Sequence, residues 1–444
     1  MTTLEDTAAS APPGELPLPT ASNARAHADD LADFVAASPS SFHAAAEVAR
    51  RLDDAGFTRL EEGQAWPSDA RGGHYVVRDG AAIAWVVPRS ATAATGVRIF
   101  GAHTDSPGFK LKPKPTTGRF GWLQAGVEVY GGPMLNSWLD RELRLAGRLV
   151  LDDGRSVLAA TGPLLRLPQL AIHLDREVND RLSLDKQTQT QPVWGLGSAD
   201  SADLLGELAA TAGVDPGRIR GYDVVTADAA RGAVFGREDV FLAAGRLDDL
   251  ASVHAGAVAL AAAVDAEPDH IPMLAVFDHE EVGSGTRSGA AGPFLSDVLE
   301  RLWLGLGADR EQQLRALSDS WCVSSDVGHS IHPNYAEKHD PLVQPVLGSG
   351  PILKINANQR YATDAAGAAA WNGWCLAAGA NVQEFVSHNG VPCGSTIGPI
   401  TATRLGIRTI DVGIPILSMH SARELAGVSD LWDLRRVAET YLGG

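Results

Sequence analysis

Residues 271–284 read IPMLAVFDHEEVGS, an unbroken apolar run that passes directly into an aspartate, a histidine and two adjacent glutamates. A short continuous apolar run bounded by polar residues reads as a strand buried on both faces, as in a parallel sheet covered by helices. Ligands of open α/β sheets bind beyond the carboxyl ends of such strands, so charge placed there has a use. Four other polar clusters follow strand-like runs in the same way: FGAHTDSPG at 100–108, AGRLDDLAS at 244–252, SSDVGHSIHPNY at 324–335 and LSMHSARE at 417–424. All five can converge on one edge of one sheet.

The rest of the chain frames that sheet. Its 444 residues, 45% apolar and 20% charged, suit a soluble globular protein of two or three domains. A formal charge of −17 argues against nucleic acid and anionic membranes as partners. No apolar run approaches the roughly 20 residues of a spanning helix. The N-terminus MTTLEDTAASAPPGELPLPTASN is acidic where a secretory signal is basic and then apolar, and residues 1–22 read as a disordered tail. Cys322, Cys375 and Cys393 are odd in number and lack CxxC spacing, which points to neither a disulfide framework nor a thiolate zinc site and fits a reducing cytoplasm.

Helical spacing at Leu31, Phe34 and Val35, then at Phe42, Val48 and Leu52, predicts two amphipathic helices separated by SPSS. HYVV, AAIAWVV and GVRIF read as neighbouring strands. Residues 107–245 change texture to short β-like runs with frequent turn signals and read as an inserted β-rich domain. From 246 to 444 longer helical patterns alternate with buried strands, so residues 23–106 and 246–444 form the two parts of one α/β layered domain.

Each cluster has a chemical and a plain structural reading. In HTD, an extended backbone turns His103 and Asp105 to one side, so that the carboxylate can fix the imidazole tautomer. Asp248 and Asp249 open an Ala-rich helix, where first-turn carboxylates also serve as caps. Glu280 and Glu281 diverge on an extended backbone, so one can face a metal and the other a water; alone they could be a solvated loop. Asp326, His329 and His420 complete the set, although a lone histidine at a strand end often has a structural role. Imidazoles and carboxylates without thiolates suit a pair of zinc, manganese or cobalt ions, the kit of an aminopeptidase-type hydrolase. A dinuclear deacylase or carboxypeptidase would use similar parts, and a cage particle that has lost its chemistry would lack some of them.

GAHTDSPGFKLKP, LAIHL, RLDDL, FDHEEVGS, SSDVGHSIHPNY, KINANQRYATDA and LSMHSARE, in that order, resemble the aspartyl aminopeptidase (M18) family of dinuclear zinc metallopeptidases from about residue 30 to the C-terminus. The resemblance implies a zinc-exopeptidase-like α/β catalytic domain with an inserted β-rich dimerisation domain, and a dodecamer built from dimers. It implies two zinc ions, with Asp248 bridging, His103 and Asp326 on one metal, Glu281 and His420 on the other, and Glu280 as general base acting on a bridging hydroxide. His173 is implied to reach an active site from the inserted domain; its plain reading is a strand histidine in a dimer contact. Lys354 is implied to hold an acidic substrate side chain, with His329 and Tyr361 nearby, although a lysine on a buried strand also reads as a structural ion pair. Lys354, Asn356 and Asn358 are expected to alternate on one strand face, with Arg360 and Tyr361 opening the next helix. An unusual peptide geometry, a cis Asp248–Asp249 bond, is expected at LDD. The implied substrates are peptides with a free N-terminus, preferably Asp or Glu; a preference for neutral residues stays open.

Overall fold

The structure, a computed structural model, describes residues 21–444. The expected tail lies outside the described residues except for its last two, which begin the helix Ala21–Ala37. Among the described residues no helix is long and apolar enough to cross a membrane.

A nine-stranded mixed sheet forms the centre, in the order Thr58–Arg59, Gly72–Arg78, Ala81–Val87, Ile271–Phe277, Val97–His103, Trp321–Ser325, Arg408–Gly413, Ile352–Lys354, Gln383–Phe385. All seven residues of Ile271–Phe277 are buried. Successive strand side chains point to opposite faces, and the run divides accordingly. Leu274 and Val276 pack into one core with Leu31, Val48, Leu250 and Leu434, while Met273, Ala275 and Phe277 pack into another with Phe294, Trp303 and Ile397. Each large apolar side chain fully buried this way contributes about 1.5–3 kcal/mol, which explains why the strand tolerates no polar position until it ends.

Strand register sets up the site. Ile271–Phe277 runs parallel to Val97–His103 with Phe277 opposite His103. Trp321–Ser325 runs parallel to Val97–His103 and to Arg408–Gly413. The residues that follow these carboxyl ends, 104–105, 278–281 and 326, therefore emerge on one edge.

Between Gly108 and Asp228 the chain builds a separate seven-stranded sheet, and Ile219–Asp228 pairs with both Gly108–Arg119 and Glu142–Leu151, so the sheet closes on itself as a small barrel. Its core holds Phe109, Val127, Trp138, Leu145, Leu165 and Val224. The last strands of the 107–245 stretch join neither large sheet: Phe241–Ala244 pairs with Ala233–Phe235 and with Glu424–Gly427 of the C-terminal segment. LAIHL is not a strand; Ile172, His173 and Leu174 lie in an exposed turn. The strand ending at Lys354 does not extend to Asn358. Asn356 instead accepts hydrogen bonds from the Asn358 and Arg360 backbone amides, an Asx-type turn that competes with strand pairing. The next helix starts at Ala365, after Arg360 and Tyr361, because Asp364 caps it through the Gly367 amide at 2.7 Å.

Candidate metal centre

Two groups of side chains meet at the sheet edge, His103 with Asp248 and Asp326, and Asp248 with Glu281 and His420; within each, the ligand atoms lie within 4.8 Å of one another. Asp248 belongs to both. Its Oδ1 is 3.1 Å from His103 Nε2, and its Oδ2 is 3.3 Å from His420 Nε2. Asp326 Oδ1 lies 3.8 Å from His103 Nε2, and Glu281 Oε2 lies 3.5 Å from His420 Nε2. The Asp248–Asp249 peptide bond is cis, and both residues depart from helical geometry inside the helix Leu247–Ala262.

The two imidazoles are oriented alike. His103 Nδ1 is 3.0 Å from the Asp105 carbonyl oxygen, and His420 Nδ1 is 3.0 Å from the Gly132 carbonyl oxygen. A carbonyl only accepts, so each Nδ1 carries a proton and each Nε2 is the atom turned toward the carboxylates, where a cation can take the place of a second proton. Among the described residues, Glu281 Oε1 is buried and has no hydrogen-bond partner, and buried Asp248 Oδ1 faces only His103 Nε2. Buried lone pairs without donors are costly, and cations held by the two groups would remove that cost.

Charge leads to the same place. Burial raises the pKa of Glu281 well above the usual range, with the Asp248 charge adding to it. Burial also pushes Glu280 up to about 7, His103 opposing and Asp326 and Asp248 reinforcing the shift. Burial disfavours charge on His420, yet Asp248 and Glu281 outweigh it and lift the ring to about 10. The pocket thus holds more carboxylate than two imidazoles can offset. Nitrogen and oxygen donors with no thiolate fit zinc, and also manganese or cobalt.

Asp105 accepts from the Glu280 amide at 2.9 Å, the Glu281 amide at 3.2 Å and the Tyr130 hydroxyl at 2.7 Å. Glu424 holds the Asp248 amide at 2.9 Å and the His420 amide at 2.7 Å. Asp249 accepts from the His103 amide at 3.3 Å. Tyr130 and Glu424 are supports to which the sequence reading gave no role. Glu424 sits inside LSMHSARE four residues from His420, the one signal that could have marked it.

Beside Asp326, Lys354 is 2% exposed, donates to the Val327 carbonyl at 2.9 Å, and lies 3.6 Å from Asp326 Oδ2. Its ammonium stands 5.5 Å from the Tyr361 ring centroid, and Tyr361 and His329 both flank Phe385. His329 has a lowered pKa because it is desolvated and sits near the Lys354 charge. His173, exposed in its turn, joins neither ligand group of its own chain.

The family model for aminopeptidase I zinc metalloproteases (M18) matches residues 34–440. A protein of Streptomyces avermitilis described as a probable M18 family aminopeptidase 2 is 52% identical over 425 residues, 95% of this chain and 98% of the relative. Among solved structures, the cryo-EM structure of the Ape4 and Nbr1 complex superposes with a TM-score of 0.92 at 34% identity, covering 97% of this chain and 88% of that one. The S. cerevisiae mApe1 dodecamer superposes with a TM-score of 0.82 at 29% identity, covering 94% and 97%. The chain belongs to the M18 family of zinc aminopeptidases.

Proposed function

We propose that this M18 enzyme is a dinuclear zinc aminopeptidase that removes an N-terminal aspartate or glutamate from peptides. The observation that carries the dinuclear reading is Asp248, whose two carboxylate oxygens face two separate imidazole and carboxylate groups. In this reading His103, Asp248 and Asp326 hold one ion, and Asp248, Glu281 and His420 hold the other. Two such ions supply Lewis acidity, lowering the pKa of a water and polarising the scissile carbonyl.

The remaining work falls to the chain. Glu280 belongs to neither ligand group, and the Asp105 clamp on its amide fixes where its carboxylate emerges. From that position it accepts the proton of the attacking water and returns it to the leaving amine. The surrounding carboxylates attract the substrate's free α-ammonium, which favours amino-terminal substrates. Lys354 and Tyr361, with His329 alongside, receive the acidic side chain. His173 acts from a neighbouring subunit, in an assembly of dimers that reaches twelve copies as in the yeast relative. Unpaired Cys322, Cys375 and Cys393 suit a cytoplasmic setting.

One observation favours a second reading. Lys354 already has Val327 and Asp326 as partners, which would leave the pocket for neutral side chains. Zinc analysis together with a panel of peptides beginning with Asp, Glu, Ala or Leu, each with free and blocked N-termini, tests both. The proposal requires two zinc ions per chain, cleavage of free N-termini only, and faster turnover of Asp or Glu. Preference for blocked peptides refutes the aminopeptidase mechanism, and preference for Leu or Ala refutes the acidic pocket.

A further inference from the structure

The barrel between Gly108 and Asp228 is a separate structural unit, yet one turn of it, residues 130–134, reaches the candidate metal centre from outside the catalytic sheet. Tyr130, the last residue of the strand Trp122–Tyr130, donates its hydroxyl to Asp105 Oδ2 at 2.7 Å. That carboxylate also takes the Glu280 and Glu281 amides, and the Asp105 backbone carbonyl faces His103 Nδ1 at 3.0 Å. Gly131 has φ of 66° and passes so close to Glu281 that a Cβ there would lie 3.2 Å from the Glu281 Cβ. The Gly132 carbonyl accepts from His420 Nδ1, and the Met134 amide donates to the His420 carbonyl at 2.9 Å. Four of the five residues 130–134 therefore touch ligands, or the supports of ligands, in both groups.

We propose that this turn is a positioning element for the metal centre, in which Tyr130 and the carbonyl of Gly132 fix the orientation of Asp105 and His420, so that the barrel sets zinc affinity. The inference rests on the dinuclear reading above. Its physical basis is that a hydrogen bond to the far side of a ligand, or to the group that aims it, fixes ring orientation and lone-pair direction before the ion arrives; loss of such a bond typically lowers metal affinity by about 10- to 100-fold. A barrel that served only as an assembly module would need no contact with His420 or Asp105. Four contacts from one short turn, one of them at a left-handed glycine where a side chain would crowd Glu281, point instead to a shared construction.

The test is zinc affinity of the full-length protein, measured by competition with a chromogenic chelator, alongside thermal melts of the chelator-stripped chain. Tyr130→Phe should bind zinc about tenfold or more weakly while the stripped protein melts close to wild type. Tyr222→Phe is the control: its hydroxyl bonds the Lys112 carbonyl at 2.7 Å within the same barrel, so it should alter the melt and leave zinc affinity unchanged. Gly131→Ala, expected to weaken zinc by crowding Glu281, serves if Tyr130→Phe fails to fold. Wild-type zinc affinity in Tyr130→Phe, or equal weakening in Tyr222→Phe, overturns the inference. A wild-type protein that takes up no zinc overturns the dinuclear reading and this inference with it, whereas a zinc-replete wild type with an indifferent Tyr130→Phe overturns this inference alone.

Discussion

Replacing Lys354 with methionine separates a specificity cation from a structural one. The ammonium is buried, has one backbone carbonyl partner, and stands 3.6 Å from Asp326 Oδ2. At an effective dielectric near 20, unit charges at that distance interact by about 4–5 kcal/mol, and a substrate carboxylate placed ~4 Å from the ammonium would gain about 4 kcal/mol. Desolvation of the incoming carboxylate removes part of this, leaving about 2–3 kcal/mol, or roughly 30- to 150-fold in kcat/KM. Methionine keeps much of the aliphatic stem and loses only the charge. The expected outcome is a fall of that size for N-terminal Asp and Glu and less than about fivefold for Ala and Leu, since the neutral side chains never met the charge. Losing the bond to Val327 should also lower stability by about 1.5–3 kcal/mol, read as a lower melting temperature. The assay is kcat/KM on the four substrates with zinc-loaded enzyme, at a temperature well below the melt of the variant. An equal loss across all four would show that Lys354 only holds Asp326 and the strand, and the acidic-pocket argument would fail.

Glu280→Gln should retain wild-type zinc content and lose about 10²–10⁴-fold in turnover, since the ligand groups are untouched and the proton carrier is gone. Glu281→Gln should instead lose zinc, and matching zinc content and activity in the two variants would show that the roles within the pair are misassigned. Burial raises Glu280 to about 7 and Glu424 to about 8 from 4.5, so the folded chelator-stripped chain keeps protons that the unfolded chain releases. Their contribution to stability should therefore fall as pH rises from about 4.5 to 8, so the stripped Glu280→Gln and Glu424→Gln variants, which lack that proton, should lose less stability than the stripped wild type over this window; an identical pH profile in wild type and both variants contradicts the burial argument. Light scattering should give a mass near twelve times the 46.6 kDa chain, and a stable, active monomer would remove both the assembly and the use of His173 from a neighbouring subunit.

What the sequence disclosed and what it withheld divide along a physical line. The strand Ile271–Phe277 was legible because burial on both faces admits only apolar side chains, and the polar clusters after it and its neighbours were legible because metal chemistry needs titratable residue types. Parallel register puts the strand ends carrying His103, Glu281 and Asp326 side by side, while Asp248 and His420 reach the same place from behind Phe241–Ala244 and Pro415–Leu417, strands of a separate five-stranded sheet. Pairing between distant segments left no such trace. Phe241–Ala244 looks like any short β-run of the stretch before it, and its partner Glu424–Gly427 lies almost the length of the second catalytic segment away. LAIHL has strand-like composition, yet Leu170, Ile172 and Leu174 are exposed in this chain, so apolar character alone could not place them. Supports are harder still to read. Tyr130 resembles any tyrosine at a strand end until its hydroxyl is seen 2.7 Å from Asp105. Gly132 contributes to the site only a carbonyl oxygen, which every residue carries, so the contact that fixes the His420 tautomer has no signature in residue type and exists only once the barrel and the catalytic sheet are brought together.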